Sequence, residues 1–392
     1  MSARHTTHRY SKLPDSKLPD SVVDLVCADV RDQRGELDAL IDDALRRLAP
    51  LTTSVERQAL AAAARSRLAG LGQLDALVTD PTVDEVLVHE DRSWVDRQGE
   101  LSDAGRLDGT TIEQVIERIL APIGRRVDRT TPIVDARLAS GARVCAVVPP
   151  VAVGGATLSI RRFASGVRPL AEFAEGAGVA LLADVLAAHC NVVVTGATSS
   201  GKTSLLAALI AHLDETERLI VLEDTAELAC EAAHLVRLEA RRADAEGVGE
   251  VSLADLVRTA LRLRPDRLVV GEVRGAECLA LVQAMNTGHD GSLSTCHANG
   301  PLDALLRLEA LVLQSAPQWP LSAVRQQLAR SIDVVVHVER IGARRRIRSI
   351  AEVVVPDSVH APPAVRLLGE HGESGFEQRL ALQRRRHSGR CA

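Results

Sequence analysis

Residues 191–211 read Asn191-Val-Val-Val-Thr195, then Gly196-Ala197-Thr198-Ser199-Ser200-Gly201-Lys202-Thr203, then Ser204-Leu-Leu-Ala-Ala-Leu-Ile-Ala211. The first five residues are an apolar, β-branched run that predicts a strand, and the last eight have the composition of a helix. Between them the pattern G-x-x-x-x-G-K-[ST] occurs without a gap. Gly196 and Gly201 let the backbone turn tightly and aim its N–H groups inward at phosphate oxygens. The helix N-terminus adds partial positive charge, Lys202 can reach the β- and γ-phosphates, and the Thr203 hydroxyl can ligate Mg²⁺. A chance glycine-rich turn would not come with this strand–loop–helix context. Residues 196–204 are therefore expected to bind a nucleoside triphosphate.

Composition narrows the class. A chain of 392 residues, 46% hydrophobic, is long enough for two or three domains with substantial cores. The net charge of −5 does not nominate nucleic acid, and with 2% aromatics stacking platforms for bases are scarce. The seven cysteines, at 27, 145, 190, 230, 278, 296 and 391, are scattered singly, which fits neither a disulfide framework nor a zinc ribbon. A reducing cytoplasm is the expected compartment. Met1–Tyr10 is polar, with no apolar segment behind it, so no signal peptide is expected. No run of 18 apolar residues occurs, and any membrane role should be peripheral.

Residues 1–20 contain a duplication, Ser11-Lys-Leu-Pro-Asp15 and Ser16-Lys-Leu-Pro-Asp20, and read as a disordered tail. Residues 21–72 predict a small helical bundle. One helix-like stretch runs from Val22 to Leu48, broken near Gly35, with Ser21 and Asp24 as candidate caps, and another runs from Ser54 to Leu71. Residues 73–160 alternate β-rich runs with one helix, Ile112–Leu120, for which Thr110 is the expected cap, and form an α+β domain. Residues 161–169 read as a linker. From 170 to 356 strands and helices alternate, which predicts an α/β core with a largely parallel sheet. Leu219–Leu222, Leu268–Val270 and Asp333–Val336 are its expected further strands. Residues 357–392 turn polar, end in Arg384-Arg-Arg386, and read as a solvated tail that could touch anionic lipid.

A phosphate loop needs a second acidic element at a strand end to hold Mg²⁺ and orient water. Leu268-Val-Val-Gly-Glu272 places Glu272 just past an apolar strand, where a carboxylate can position the attacking water. Leu219-Ile-Val-Leu-Glu223-Asp224 offers a second acidic strand end, with Glu223 suited to the metal's water shell. The metal set expected is thus Thr203, Glu223 and Glu272. Either carboxylate alone could be a surface group after a strand; their joint occurrence downstream of Lys202 favours the functional reading. Thr287-Gly-His289 and Thr295-Cys-His297-Ala298 add two histidines around a glycine-rich strand. Their spacing is not that of structural zinc. An imidazole sensing the terminal phosphate fits better, although either histidine alone could be a core residue.

Taken together, Gly196–Thr203, Leu222-Glu-Asp-Thr-Ala-Glu227, Leu263-Arg-Pro-Asp266 through Gly271-Glu-Val-Arg274, and Thr287–Ala298 resemble, in order and spacing, the type II/type IV secretion ATPase superfamily. They look like its Walker A, acidic box, Walker B and His box. Upstream, Gly124-Arg-Arg-Val-Asp128, Val134-Asp-Ala-Arg-Leu138, Gly141-Ala-Arg-Val144, Pro149-Pro150 and Ser159-Ile-Arg-Arg-Phe163 resemble the CpaF/TadA branch, which powers tight-adherence (Flp) pili. The absence of a tetracysteine element points to the same branch. The resemblance spans about residues 75–350. It implies an α/β, RecA-like P-loop ATPase domain behind an α+β N-terminal domain, assembled as a ring-shaped homohexamer. It also implies ATP and Mg²⁺ as ligands and polytopic inner-membrane platform proteins as partners. Arginines of the N-terminal domain and linker complete the site in that family, and Arg143, Arg161 and Arg162 match those positions. An arginine finger works by neutralising charge on the transferred phosphoryl group. Arg274 is a further candidate, able to pair with Glu272 or Glu277.

The resulting expectation is a cytoplasmic ATPase, peripheral to the inner face of the membrane, with Lys202, Glu272, Glu223, His289, His297, Arg143, Arg161 and Arg162 as its catalytic set. The rival is a RecA-like nucleic-acid translocase or helicase, as in conjugal DNA transfer. The net charge and the scarcity of aromatics argue against it.

Overall fold

The computed structural model describes residues 20–383, except 32, 98, 109, 139–140, 163–165, 242, 244–247, 343, 359–360 and 373–374. The duplicated pentapeptides up to residue 19, residues 163–165 of the expected linker, the Arg384–Arg386 run and Cys391 lie outside them. The chain divides into two units after Arg162.

In the first unit, α1 (Asp20–Val30), α2 (Leu37–Leu48) and α3 (Ser54–Ala69) pack around Val26, Ile41, Ala44, Leu45 and Leu60. A capping box starts α3: Thr53 Oγ1 accepts from Glu56 N at 3.2 Å, and Thr53 N donates back to Glu56 Oε2 at 2.8 Å. After α4 (Leu74–Thr79) come β1 (Glu85–His89), β2 (Arg92–Arg97), β3 (Glu100–Arg106), α5 (Ile112–Leu120), β4 (Ile133–Arg137), β5 (Arg143–Val147) and β6 (Thr157–Arg161). The six strands form one antiparallel sheet in the order β3-β2-β1-β6-β5-β4. Alternate residues such as Val86, Val88, Leu158 and Ile160 are buried with Val115, Ile116 and Ile119 of α5. The α5 cap is Thr111 rather than Thr110. Thr111 is the extended residue, and its Oγ1 accepts from Gln114 N at 3.4 Å.

The second unit contains α6 (Ala177–Ala187), β7 (Val192–Thr195), α7 (Lys202–Ile210), β8 (Arg218–Glu223), β9 (His234–Glu239), α8 (Leu253–Ala260), β10 (Arg267–Val273), α9 (Glu277–Met285), β11 (Leu293–Cys296), α10 (Pro301–Ser315), α11 (Leu321–Ser331), β12 (Val334–Ile341), β13 (Arg344–Val354), β14 (Ala364–Gly372) and β15 (Gly375–Gln378). Its sheet runs β15-β14-β13-β12-β7-β11-β10-β8-β9. The six strands from β12 to β9 are parallel, and β13, β14 and β15 add antiparallel at one edge. Helices cover both faces, α6 and α7 on one and α8 to α11 on the other. That double burial is why β7 and β8 read as unbroken apolar runs instead of alternating ones.

β14 and β15 correct the reading of 357–392 as a tail. The segment is polar because it pairs at the open edge of the sheet, where only residues such as Leu368 are buried. Arg366 binds the buried Glu352 of β13, and Gln383 N donates to the same carboxylate at 2.9 Å, so the end of the described chain is tied to the core.

A buried polar cluster sits at the N-terminal ends of the parallel strands. Asn191 N donates to Asp333 Oδ2 (2.8 Å), Asn191 Nδ2 to Ser331 O (2.7 Å), and Ser292 N to Asn191 Oδ1 (2.9 Å). Asp333 N returns a bond to Asn191 O at 3.0 Å. Three neighbouring strands, β12, β7 and β11, are thereby set level. Replacing Asn191 with Leu removes partners from several buried groups and is expected to lower stability by about 3 kcal/mol, read as the shift of a urea unfolding midpoint at constant slope.

Candidate nucleotide site

β7 ends at Thr195 and α7 begins at Lys202, so residues 196–201 are the whole connecting loop. Ser199 (φ 60°) and Gly201 (φ 102°) take left-handed conformations that close it. The glycines answer a second demand as well. A Cβ on Gly196 would lie 2.3 Å from Val338 O, and one on Gly201 would lie 2.5 Å from Arg345 Cδ. The β12–β13 hairpin presses against both ends of the loop.

Lys202 is buried. Its Nζ donates to Ala197 O at 2.9 Å and meets His297 Nδ1 at 3.2 Å. An ammonium can only donate, so Nδ1 is the acceptor and the ring proton belongs on Nε2. Nε2 faces Glu272 Oε1 at 3.1 Å. Burial, and then the charge of Lys202, hold the His297 pKa below its ordinary value, which agrees with a neutral ring. The other oxygen of Glu272 accepts from Arg274 Nη2 at 2.6 Å, and Arg274 Nε lies 3.7 Å from Asp224 Oδ2. One chain of polar contacts therefore runs Lys202–His297–Glu272–Arg274–Asp224 across the C-terminal ends of β7, β11, β10 and β8. Thr195 Oγ1 donates to Ala298 O (3.1 Å) and Thr295 Oγ1 to Gly271 O (2.7 Å), which pins the strand ends side by side.

Thr203 offers its hydroxyl in the first turn of α7, and Glu272 is partly exposed on the same edge of the sheet. This small oxygen donor set suits Mg²⁺, which keeps waters and takes phosphate oxygens rather than a full protein cage. Among the described residues no three His, Cys, Asp or Glu side chains are grouped to hold a metal by themselves. Burial pushes the Cys296 thiol up to about 11, so it stays protonated beside His297 and is a poor ligand.

Residues 68–364 match the model of a family described as type II/IV secretion system protein. The chain belongs to this family. A putative conjugal transfer protein of Mycobacterium tuberculosis is 41% identical over 302 residues, covering 73% of this chain and 85% of that protein. Conjugal transfer protein TrbB of Rhizobium radiobacter is 34% identical, covering 72% and 87%. Type IV secretion system protein PtlH of Bordetella pertussis is 30% identical, covering 70% and 89%. Among solved structures, the pilus retraction motor PilT with bound ADP aligns with a TM-score of 0.53 at 20% identity over 73% of this chain and 83% of that one. The Legionella pneumophila ATPase DotB aligns at 0.52 and 20%, over 73% and 81%. The fold of the second unit is the RecA-like P-loop fold that these structures share.

In the second unit, two residues of the expected set are placed otherwise. Glu223 is buried, and both its carboxylate oxygens are engaged: Oε1 accepts from Glu227 N (2.9 Å) and Leu228 N (2.8 Å), and Oε2 from Arg237 Nη2 (3.1 Å). It caps the turn after β8 and is engaged by its own chain; Asp224, beside it, is the exposed acid. His289 lies before β11, whereas the phosphate loop follows β7. The pairing of Leu293 with Val192 and of Cys296 with Thr195 puts them at opposite ends of the sheet, about 13 Å apart along the strands. His289 contacts Ala284 O at 3.3 Å, within the α9–β11 loop.

Arg274 takes Glu272 and Asp224, while Glu277 accepts from Arg274 N and Gly275 N and so closes the start of its own helix. In the first unit, Arg143 lies 3.5 Å from Asp135 and pairs across the ladder with Arg161, which is exposed. Arg162 departs from a finger: its guanidinium binds the carbonyls of Asp80 and Val83 and ties the end of β6 to the start of β1. Val338 and Arg345 carry no motif. The one hint of them in the sequence is an arginine-rich turn at Gly342.

Glu223→Gln is expected to lower stability by about 1–3 kcal/mol by breaking the capped turn. It should leave the Mg²⁺ dependence of phosphate release unchanged, which a Mg²⁺ titration of turnover checks.

Proposed function

We propose that this chain hydrolyses ATP and thereby drives a membrane-embedded machine of the conjugal-transfer, type IV secretion or pilus kind. The observation that carries the reading is the unbroken contact from Lys202 through His297 to Glu272. It couples the group that holds the terminal phosphates to the group that would position water. The names of the relatives support the kind of machine, and the upstream motifs over 124–163 support the tight-adherence branch within it.

In this mechanism the loop amides and Lys202 hold the triphosphate. Arrival of the γ-phosphate draws Nζ away from His297 Nδ1. The imidazole keeps its Nε2 proton toward Glu272 and so registers at the carboxylate whether Lys202 is occupied. Glu272, held on one oxygen by His297 and on the other by Arg274, has its plane fixed and its remaining lone pairs free to orient a water. Thr203, with Glu272 through water, would hold the Mg²⁺ that arrives with ATP and neutralises phosphate charge. The working form is a homohexameric ring at the cytoplasmic face of the inner membrane, pushing on polytopic platform proteins. Among the described residues no helix is long and apolar enough to cross a membrane, which is compatible with peripheral attachment. Arg143 and Arg161 are the proposed source of further positive charge within the ring.

Lys202→Ala and Glu272→Gln are each expected to cut phosphate release by about 100-fold or more. Wild-type turnover in both would end the assignment. His297→Ala is expected to cost about tenfold or more and His289→Ala less than about twofold, since only His297 touches the reacting groups. Equal losses in the two would return His289 to the site. A several-fold stimulation by DNA would instead favour a nucleic-acid translocase.

A further inference from the structure

The wall of the phosphate loop comes from the hairpin of β12 and β13. β12 lies parallel to β7, with His337 opposite Thr195, so its last residues run on beside the loop itself. β13 returns antiparallel after the turn at Gly342 and places Arg345 opposite Arg340. Val338 closes on Gly196. At Gly201, a Cβ would meet Arg345 Cδ at 2.5 Å and its Cγ and Nε at 3.3 Å. The direction of Arg345 follows from the strand. Ile347, two residues later on the same face, is buried in the core shared with Leu205 and Leu206 of α7. Arg345 therefore extends that face to the N-terminal end of α7, where Lys202 begins the helix. Its neighbours are placed otherwise: Arg346 pairs with Glu339 at 2.8 Å, and Arg344 is exposed.

We infer that Arg345 is a phosphate-binding residue of the nucleotide site, supplied by the same chain. The inference rests on the reading of residues 196–204 as that site. The aliphatic stem of Arg345 lies across the Cα of Gly201, so any Cβ there would have to push it aside. Its half-buried guanidinium is held at the loop's last residue, next to the amides that open α7. A guanidinium is always charged and presents N–H donors in a fork that matches two phosphate oxygens. Beside the Lys202 ammonium it gives a single subunit a second cation for the polyphosphate, independent of any arginine from the first unit.

The test is a titration of the full-length chain with fluorescently labelled ATP and ADP. Arg345→Gln keeps the stem as far as Cδ and removes the charge. It is expected to raise the Kd for both nucleotides about tenfold, while Arg345→Lys recovers most of the loss. The nucleotide-free melting midpoint should stay within about 2 °C, and Arg344→Gln should bind as wild type does. Lys202→Ala separates the two readings. If it loses binding while Arg345→Gln keeps the wild-type Kd, Arg345 is no ligand and the site stands. If Lys202→Ala itself binds normally, the nucleotide site falls and this inference falls with it. A drop in melting midpoint together with affinity in Arg345→Gln, restored in neither respect by Lys, would make Arg345 a packing residue and overturn the proposal.

Discussion

Asn191 and Asp333 are both fully buried where β12, β7 and β11 begin: the Asp333 carboxylate and N–H bond the Asn191 backbone, and the Asn191 side chain bonds Ser331 and Ser292. Buried polar groups of this kind tolerate one register only, because a slip by one residue would strand donors in an apolar core and turn each side chain to the opposite face. With the strand starts level and the strands short, the ends are level too. Thr195, Cys296 and Val273 then terminate side by side. The loop after β7, His297 after β11 and Glu272 near the end of β10 are in contact because the far end of the sheet has been squared off.

Two carboxylates at neighbouring strand ends show how local surroundings assign different work to the same group. Glu223 is enclosed by backbone amides and Arg237, so its charge is consumed in holding a turn. Glu272, one strand over, meets only side chains that belong to the site and keeps part of its surface open. The glycine before Glu272 matters as well. A Cβ on Gly271 would come 2.9 Å from Glu223 Cγ, so the residue before Glu272 must be small for β10 to pass the buried carboxylate.

What was legible in the sequence was whatever is local. The strand, loop and helix around Gly196–Thr203 follow one another without interruption, and the apolar runs of β8, β10 and β12 carry their own signal. The roles of Glu223 and His289 depend on groups brought near by pairing: Arg237 on the adjacent strand, and the parallel register that sends His289 to the wrong end of β11. Strand-end position alone could not separate Glu223 from Glu272. β14 and β15 escaped because edge strands are half solvated and their polar composition is that of a tail. Arg345 escaped because its significance lies in crossing Gly201, 144 positions back along the chain by number. The finger reading of Arg162 likewise missed that the residue's nearest acceptors are backbone carbonyls.

The polar chain from Lys202 to Asp224 has a consequence for charge balance. It contains two cations, Lys202 and Arg274, two anions, Glu272 and Asp224, and a neutral imidazole between them. These five groups together are electroneutral, so they exert little long-range pull on a polyanion. Accepting the several negative charges of a triphosphate requires that compensation come from outside the ladder, from loop amides, a divalent ion or arginines beyond it. A site wired in this way holds its own charges in reserve, and it opens for a ligand that brings the counter-charge along.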